Sequence, residues 1–243
     1  MLEKFKDILK HEKEEVLKIT TPNHIAITLG GIAVWAENKK VPIEEAYKKS
    51  GEITKEIIKE QIRSNIPILT FYLLPESMDK DSEMFLKLLN SIIEFFDNLV
   101  NDELITKNRI KISVLGKWYD MPGRVVDSVK KVIDATKDYD SFFVNFCINY
   151  SGQEEIVDAC KLIAMQVKAG RLDPDSINKK LIKEKIYSSY FLPPDLLIVN
   201  GHKKRTNGLL LWDLAYTAVY SSDKLWPDFN STEFTKALKW LKR

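Results

Sequence analysis

Short runs of consecutive apolar residues alternate along this chain with longer amphipathic stretches. Continuous apolar runs of four to eight residues are typical of strands that are buried on both faces of a sheet. Strands are predicted at His24–Leu29, Ile68–Leu74, Arg109–Leu115, Ser141–Ile148, Leu196–Val199 and Gly208–Asp213.

The amphipathic stretches carry apolar residues at helix spacing. Helices are predicted at Ile43–Arg63, Asp81–Asn101, Pro122–Thr136, Gln153–Lys168, from Asp173 to near Lys183, and at Thr232–Leu241. Residues 1–20 are predicted to form an N-terminal helical segment, and 21–243 one domain. The alternation predicts an α/β fold, a single open, mostly parallel six-stranded sheet flanked by helices.

In an open parallel sheet, ligands bind where loops leave the carboxyl ends of the strands. Function is therefore expected in five loops. These are residues 30–34, 75–79, 116–120, 149–152 and 200–207.

Composition narrows the class of protein. The 243 residues carry 37 Lys and Arg against 35 Asp and Glu, a net charge of +2 that gives no drive toward nucleic acid. Cys147 and Cys160 form no C-x-x-C pair, three histidines are too few for an obvious metal site, and reduced thiols are expected.

The charged N-terminus lacks the apolar core of a signal peptide, and no apolar run reaches the length of about 18 residues that a membrane span needs. A cytoplasmic protein is predicted, with possible peripheral membrane contact through Lys39-Lys40 and Lys48-Lys49.

Five stretches, in order and in register, resemble the cis-prenyltransferases, the family of undecaprenyl and dehydrodolichyl diphosphate synthases. His24–Ala36 (HIAITLGGIAVWA) is similar to H-x-A-x-x-M-D-G-N-x-R-W-A, and Asn149–Ile156 (NYSGQEEI) to N-Y-G-G-R-x-E-I. Pro194–Ile198 is similar to P-D-L-x-I, Leu210–Tyr216 to L-L-W-Q-x-A-Y, and Leu225–Phe229 (LWPDF) completes the set.

The resemblance implies a butterfly-like α/β fold, a dimer and an apolar tunnel for a growing isoprenoid. It also implies condensation of isopentenyl diphosphate with an allylic diphosphate and Mg²⁺. Such chemistry uses carboxylates for the metal and arginines for the diphosphates, because charge develops on the leaving group.

The residues that this family uses for chemistry are replaced here. The first-loop Asp falls on Gly30, and the late Glu that helps to hold Mg²⁺ falls on Ala218. No catalytic residue and no metal ligand are therefore predicted, and Mg²⁺ is expected in an active partner subunit. Other replaced positions are Ile32, Val34, Ile43, Tyr47, Pro75, Met78, Asp79 and Val199. The family's Arg-x-Gly tail has no match before Lys242-Arg243.

Some candidate binding residues remain. Lys203, Lys204, Arg205 and Asn207 lie where the family binds a diphosphate, and Arg205 keeps the family position. A solvated basic turn is an equally good reading of that loop. Six residues are candidates for the wall of a prenyl tunnel, although ordinary core packing explains them as well: Trp35, Phe85, Leu88, Leu89, Ile92 and Phe96. Trp212, Tyr216 and Tyr220 are candidates for a subunit interface.

Three functions are compatible with a retained scaffold and a lost site. The first is a non-catalytic subunit of a heteromeric cis-prenyltransferase that makes long-chain polyprenyl diphosphate, with an active subunit as its partner. A homodimer is the alternative assembly. The second is a repurposed prenyl-diphosphate enzyme, such as a terpene synthase or a phosphatase-like enzyme. The third is a prenyl-lipid binding protein. In all three, prenyl diphosphates or related lipids are the expected ligands.

Overall fold

A computed structural model describes residues 21–242, so the predicted helical segment at 1–20 lies outside the described residues. Six strands form one sheet: β1 His24–Thr28, β2 Ile68–Pro75, β3 Ile110–Leu115, β4 Phe142–Tyr150, β5 Leu196–Asn200 and β6 Ala218–Ser222. Their order is β3-β4-β2-β1-β5-β6, and every pairing is parallel. The predicted open sheet is confirmed.

The helices of eight or more residues are α1 Ile32–Lys39, α2 Ile43–Arg63, α3 Glu83–Leu99, α5 Gly123–Thr136, α6 Gly152–Lys168 and α8 Ser231–Leu241, and two shorter ones are α4 Glu103–Lys107 and α7 Lys179–Lys185. The α1 helix was not predicted, because residues 30–34, which contain its first turn, were assigned to a loop. The segment from Asp173 is also not one helix. Asp173 caps a single 3-10 turn, and Asn178 then caps α7.

The predicted sixth strand, Gly208–Asp213, is wrong. That segment forms consecutive turns, with Gly208 and Leu210 at positive φ. Leu209 and Leu210 are buried against one face of the sheet. The run is apolar because it covers the sheet, and periodicity alone does not distinguish such a run from a buried strand. The actual β6 follows it and pairs with β5.

The fold places its ligand crevice beside β1. The chain passes from β1 to β2 on one side of the sheet and returns after β4 to β5 on the other side of β1. This reversal makes the carboxyl ends of β1 and β5 a topological switch point, the usual ligand position in open α/β sheets. The main core, which contains side chains of α2, α3, α5 and α8, fills one face below it.

Candidate functional site

The loops that follow β1 and β5 pack backbone against backbone at the switch point. A Cβ atom built on Gly30 would lie 2.1 Å from the carbonyl oxygen of Asn200. A Cβ built on Gly201 would lie 3.4 Å from the carbonyl carbon of Gly30. The carbonyl of Gly30 also accepts a hydrogen bond of 2.9 Å from the N–H of Trp226. The β1 loop is thus fixed from two sides, and position 30 has no room for a side chain.

The amino end of α1 is the first potential ligand group beside this contact. Gly31 precedes the helix with φ 84°, and no side chain among residues 21–242 caps it. Its first turn carries no acidic residue. Uncapped N–H groups and the helix dipole favour an anion. Since Ile32, Ala33 and Val34 are apolar, only backbone groups of this turn can hold one.

The basic loop, residues 202–205, follows directly on Gly201 and so lies beside the β1 loop. Its side chains are exposed. Lys204 forms an ion pair of 3.2 Å with Asp223, whereas Arg205 has no ion-pair partner among residues 21–242. Asn207 is exposed, and its backbone carbonyl accepts from the hydroxyl of Tyr72 at 3.2 Å. The loop therefore carries one guanidinium without an ion-pair partner in the described residues, on the segment that follows the contact between Gly201 and the β1 loop.

Asn200 is a site residue that the sequence reasoning missed. Its side chain is 4% exposed, and within the described residues neither amide atom has a hydrogen-bond partner. Its backbone N–H donates to Thr28 at 3.2 Å. A polar residue at the end of an apolar strand was the available signal. An unpaired buried amide is costly, so the polar group is expected to serve this crevice.

The residues present do not fit Mg²⁺. The backbone carbonyl of Asn200 fills the space that a side chain at position 30 would need. The neighbouring loop, residues 202–205, carries Lys and Arg side chains, which repel a metal cation. Ala218 pairs with Leu196 at the amino end of β5, while Gly30 follows the carboxyl end of β1. Five strand residues separate those levels, roughly 16 Å. Within one chain, the two positions where the family has metal carboxylates do not meet, and residues 21–242 contain no cluster of three potential metal ligands.

A small apolar cavity lies between the β1 loop and helices α2 and α3. Its volume is about 40 Å³, and Leu29, Ile32, Leu88 and Ile92 are among its walls. Of the predicted tunnel residues, Leu88 and Ile92 thus line the cavity. Phe85, Leu89 and Phe96 belong to the same main core but do not line the cavity.

Trp35, the sixth predicted tunnel residue, does not line this cavity. It packs with Leu225 in a separate small cluster. Its indole N–H donates to Asp228 at 2.8 Å. The contact ties α1 to the turn after β6, so Trp35 supports the β1 loop from the side.

A buried polar network under α6 was also missed. Glu155 is fully buried and accepts from the hydroxyl of Tyr150 at 2.6 Å. Asp213 accepts from Ser188 at 2.6 Å and from Lys183 at 2.7 Å through the same oxygen, Oδ2. Burial raises the pKa of Glu155, and burial likewise raises the pKa of Tyr150. The network joins α6, α7 and the segment before β6. Sequence patterns did not reveal it, because its members lie far apart along the chain.

Two of the three predicted interface residues line a groove of about 850 Å³ at the amino ends of β5 and β6. Trp212 and Tyr216 line it, and Tyr216 is 87% exposed. Tyr220 instead packs on Trp240 of α8, with ring centroids 5.6 Å apart. Exposed aromatic side chains around a groove are typical of an interaction surface.

The sequence is similar to those of known prenyltransferases. The prenyltransferase family model, described as undecaprenyl diphosphate synthase, matches residues 29–243. An isoprenyl transferase of Prochlorococcus marinus is 32% identical over 234 residues, which cover 94% of this chain and 82% of the relative. A tritrans,polycis-undecaprenyl-diphosphate synthase (geranylgeranyl-diphosphate specific) of Thermoplasma volcanium is 30% identical over 235 residues, covering 96% and 90%.

The fold is similar to that of a solved structure, lavandulyl diphosphate synthase from Lavandula x intermedia in complex with dimethylallyl diphosphate. The TM-score is 0.87 at 27% identity, and the match covers 94% of this chain and 96% of the other. Within residues 21–242, no helix is long and apolar enough to cross a membrane.

Proposed function

Because this chain belongs to the cis-prenyltransferase family, whose members make polyprenyl diphosphates, we propose that it is a non-catalytic subunit of a heteromeric cis-prenyltransferase. Its complex makes long-chain polyprenyl diphosphate from isopentenyl diphosphate and an allylic diphosphate. The active partner subunit holds Mg²⁺ and carries out the condensation.

The observation that carries this proposal is the contact between Gly30 and Asn200. The resemblance puts a metal-binding Asp at position 30, and in this chain a neighbouring carbonyl oxygen fills the place of its Cβ. The carboxylate is absent, and in addition the Asn200 backbone leaves no space for one at this position. Without a metal at the leaving group, the charge that develops on ionisation has no stabilising partner.

Retained structure supports a role within a complex. Trp226 is fully buried in the main core, and the Asn149 side chain donates to the carbonyl of Lys117 at 2.9 Å, so these motif residues hold their segments on the sheet. The groove with Trp212 and Tyr216 offers a surface for the partner subunit. The cytoplasm is the proposed compartment, with peripheral membrane contact through the lysine pairs near α1 and α2.

An affinity pull-down of the tagged chain from its own organism, with mass spectrometry, tests this proposal. A stoichiometric relative that keeps the metal Asp and the paired arginines is expected, and the reconstituted pair should elongate an allylic diphosphate. Tyr216→Asp should abolish the pairing, since a buried charge at an interface is costly. Tyr119→Asp is the matched control, because Tyr119 is also exposed but follows β3.

A second candidate is a repurposed enzyme that acts on prenyl diphosphates by itself. Two observations favour it: Arg205 has no ion-pair partner among residues 21–242, and its loop follows Gly201, which contacts the β1 loop ahead of the uncapped amino end of α1. It predicts phosphate release or a new terpenoid product from farnesyl or geranylgeranyl diphosphate. If the chain purifies without a relative and turns over neither substrate, both candidates fail, and a prenyl-lipid binding protein becomes the better description.

A further inference from the structure

The basic loop, residues 202–205, is anchored to the rest of the chain on both sides. Before the loop, the N–H of Gly201 donates to the carbonyl oxygen of Ser222 at 3.0 Å. After it, the carbonyl of Gly208 accepts from the N–H of Gly152 at the start of α6, also at 3.0 Å. The side chains of the loop itself are exposed. Its placement between the two anchors therefore depends on contacts of its backbone.

One buried side chain, Tyr72, reaches the backbone between these anchors. Its hydroxyl lies 3.2 Å from the carbonyl oxygen of Asn207 and 3.0 Å from that of Tyr150. A hydroxyl has one proton, so one bond is divided between two acceptors. Burial raises the pKa of Tyr72, and the hydroxyl therefore stays a donor well above neutral pH. Because β2 lies between β1 and β4 in the sheet, Tyr72 is a rigid support for the loop.

The two acceptors of this hydroxyl differ in their other hydrogen bonds. The carbonyl of Tyr150 also accepts from the N–H of Glu76 at 3.0 Å, so it keeps a donor without Tyr72. The carbonyl of Asn207 has no other donor within residues 21–242. The pairing of β2 with β4 is made by backbone groups and does not need the hydroxyl. Loss of the hydroxyl should therefore act on the loop and leave the sheet intact.

The backbone conformation on either side of Arg205 explains why such a support matters. Lys204 has φ 41° and Asn207 has φ 52°, both in the left-handed region. This conformation is unfavourable for residues that carry a Cβ, and it persists where the surrounding structure holds it. Arg205 lies between these two residues in sequence. The hydrogen bond to the Asn207 carbonyl therefore holds the turn from which the Arg205 side chain extends.

We propose that Tyr72 is a positioning residue for anion binding, and that its hydroxyl, through the Asn207 carbonyl, holds Arg205 in place for the diphosphate group of a prenyl ligand. Tyr72 acts through the loop and not on the anion, because its hydroxyl proton is directed to two backbone carbonyls. The inference rests on the prenyl diphosphate ligands of the proposed function. It requires neither a partner subunit nor Mg²⁺, so it can be tested on the isolated chain.

Binding of inorganic diphosphate to the purified full chain, measured by calorimetry without Mg²⁺, tests this role in a double-mutant cycle. Tyr72→Phe is expected to weaken binding about fivefold, the effect of one net hydrogen bond. In the Arg205→Ala background, Tyr72→Phe should cause no further loss, because its effect passes through Arg205. A tyrosine that only stabilises the fold would weaken binding by the same factor in both backgrounds, and that result would overturn the proposal.

Tyr187→Phe is the matched control, because the Tyr187 hydroxyl donates to Asp158 on α6 instead, and this variant should bind diphosphate as the wild type does. Amide hydrogen exchange gives a second readout. Tyr72→Phe should speed exchange several-fold in residues 203–207 and leave β2 and β4 unchanged. Faster exchange throughout β2 and β4, or no saturable binding of diphosphate to the wild type, would contradict the proposal. Capture of a partner subunit is measured separately, so failure of one proposal leaves the other standing.

Discussion

The carbonyl oxygen of Asn200 occupies the place that the Cβ of any side chain at position 30 would need, 2.1 Å from its ideal position. These residues lie 170 positions apart, at the ends of neighbouring strands. Real Cβ contacts do not approach so closely, and the obstructing atom belongs to the backbone, which cannot rotate away. The contact makes glycine a structural requirement at the position where the family has its metal-binding carboxylate.

Gly30→Asp is therefore expected to destabilise the chain without creating a Mg²⁺ site. Overpacking of this kind costs about 1–3 kcal/mol or more. Urea unfolding with and without Mg²⁺ measures both effects. Gly123→Ala is the matched control, because a Cβ there meets nothing within 4 Å, and Ala favours a helix by up to about 1 kcal/mol. Mg²⁺-dependent stabilisation of Gly30→Asp would show that the loops separate easily.

The ion pair between Lys183 and Asp213 is expected to behave as a buried pair. Lys183→Met leaves the Asp213 carboxylate buried without its cation, which should lower the free energy of unfolding by about 3–5 kcal/mol. The double variant Lys183→Met/Asp213→Leu should lose much less. Lys180→Met, at an exposed position of the same helix, is the control. Equal unfolding free energies for the two single lysine variants would contradict the importance of this pair.

His24 should make stability depend on pH. Its ring contacts Thr70 Oγ1 at 2.7 Å and the Leu192 carbonyl at 2.6 Å, and burial lowers the pKa of His24 from 6.5 to about 4. Between these values the unfolded chain binds a proton that the folded chain does not. Stability is therefore present above pH 6.5 and falls as the pH drops toward 4, by about 3 kcal/mol in all.

Urea unfolding at several pH values, for the wild type and His24→Gln, isolates this contribution. The difference between the two proteins should shrink as the pH falls from 6.5 to 4, because the variant cannot take up the proton. Other groups that titrate, such as Glu155, contribute to both curves alike. A difference that stays constant across this window would mean that His24 keeps its ordinary pKa in the folded chain.

Arg205 is expected to contribute to anion binding at the switch point. Inorganic diphosphate should bind the isolated chain in the absence of Mg²⁺, and Arg205→Ala should weaken it about tenfold, the value of one charge-assisted hydrogen bond. Higher salt should weaken binding further. Lys130→Ala, an exposed lysine on α5, is the control. Identical affinities for the two variants would support the reading of a solvated basic turn.

Much of the architecture followed from local patterns. The apolar runs of β1 to β5 and the helix spacing in α2, α3 and α5 are properties of neighbouring residues, and burial acts on them wherever the element lies. The five motif stretches likewise identified the family, and aligning them with its pattern placed Gly30 and Ala218 at its carboxylate positions. The family and the class of fold were therefore readable before any coordinates, and the loss of the metal ligands stays a prediction.

The tertiary structure decided what depends on contacts between distant segments. It placed β6 after the apolar turn at 208–213, and it packed Asn200 against Gly30. It also separated the tunnel candidates within the main core, because Leu88 and Ile92 line the cavity and Phe96 does not. Periodicity reports that a side chain is buried but not what it is buried against. That information arises only when strands pair, because pairing brings together loops that the sequence keeps far apart.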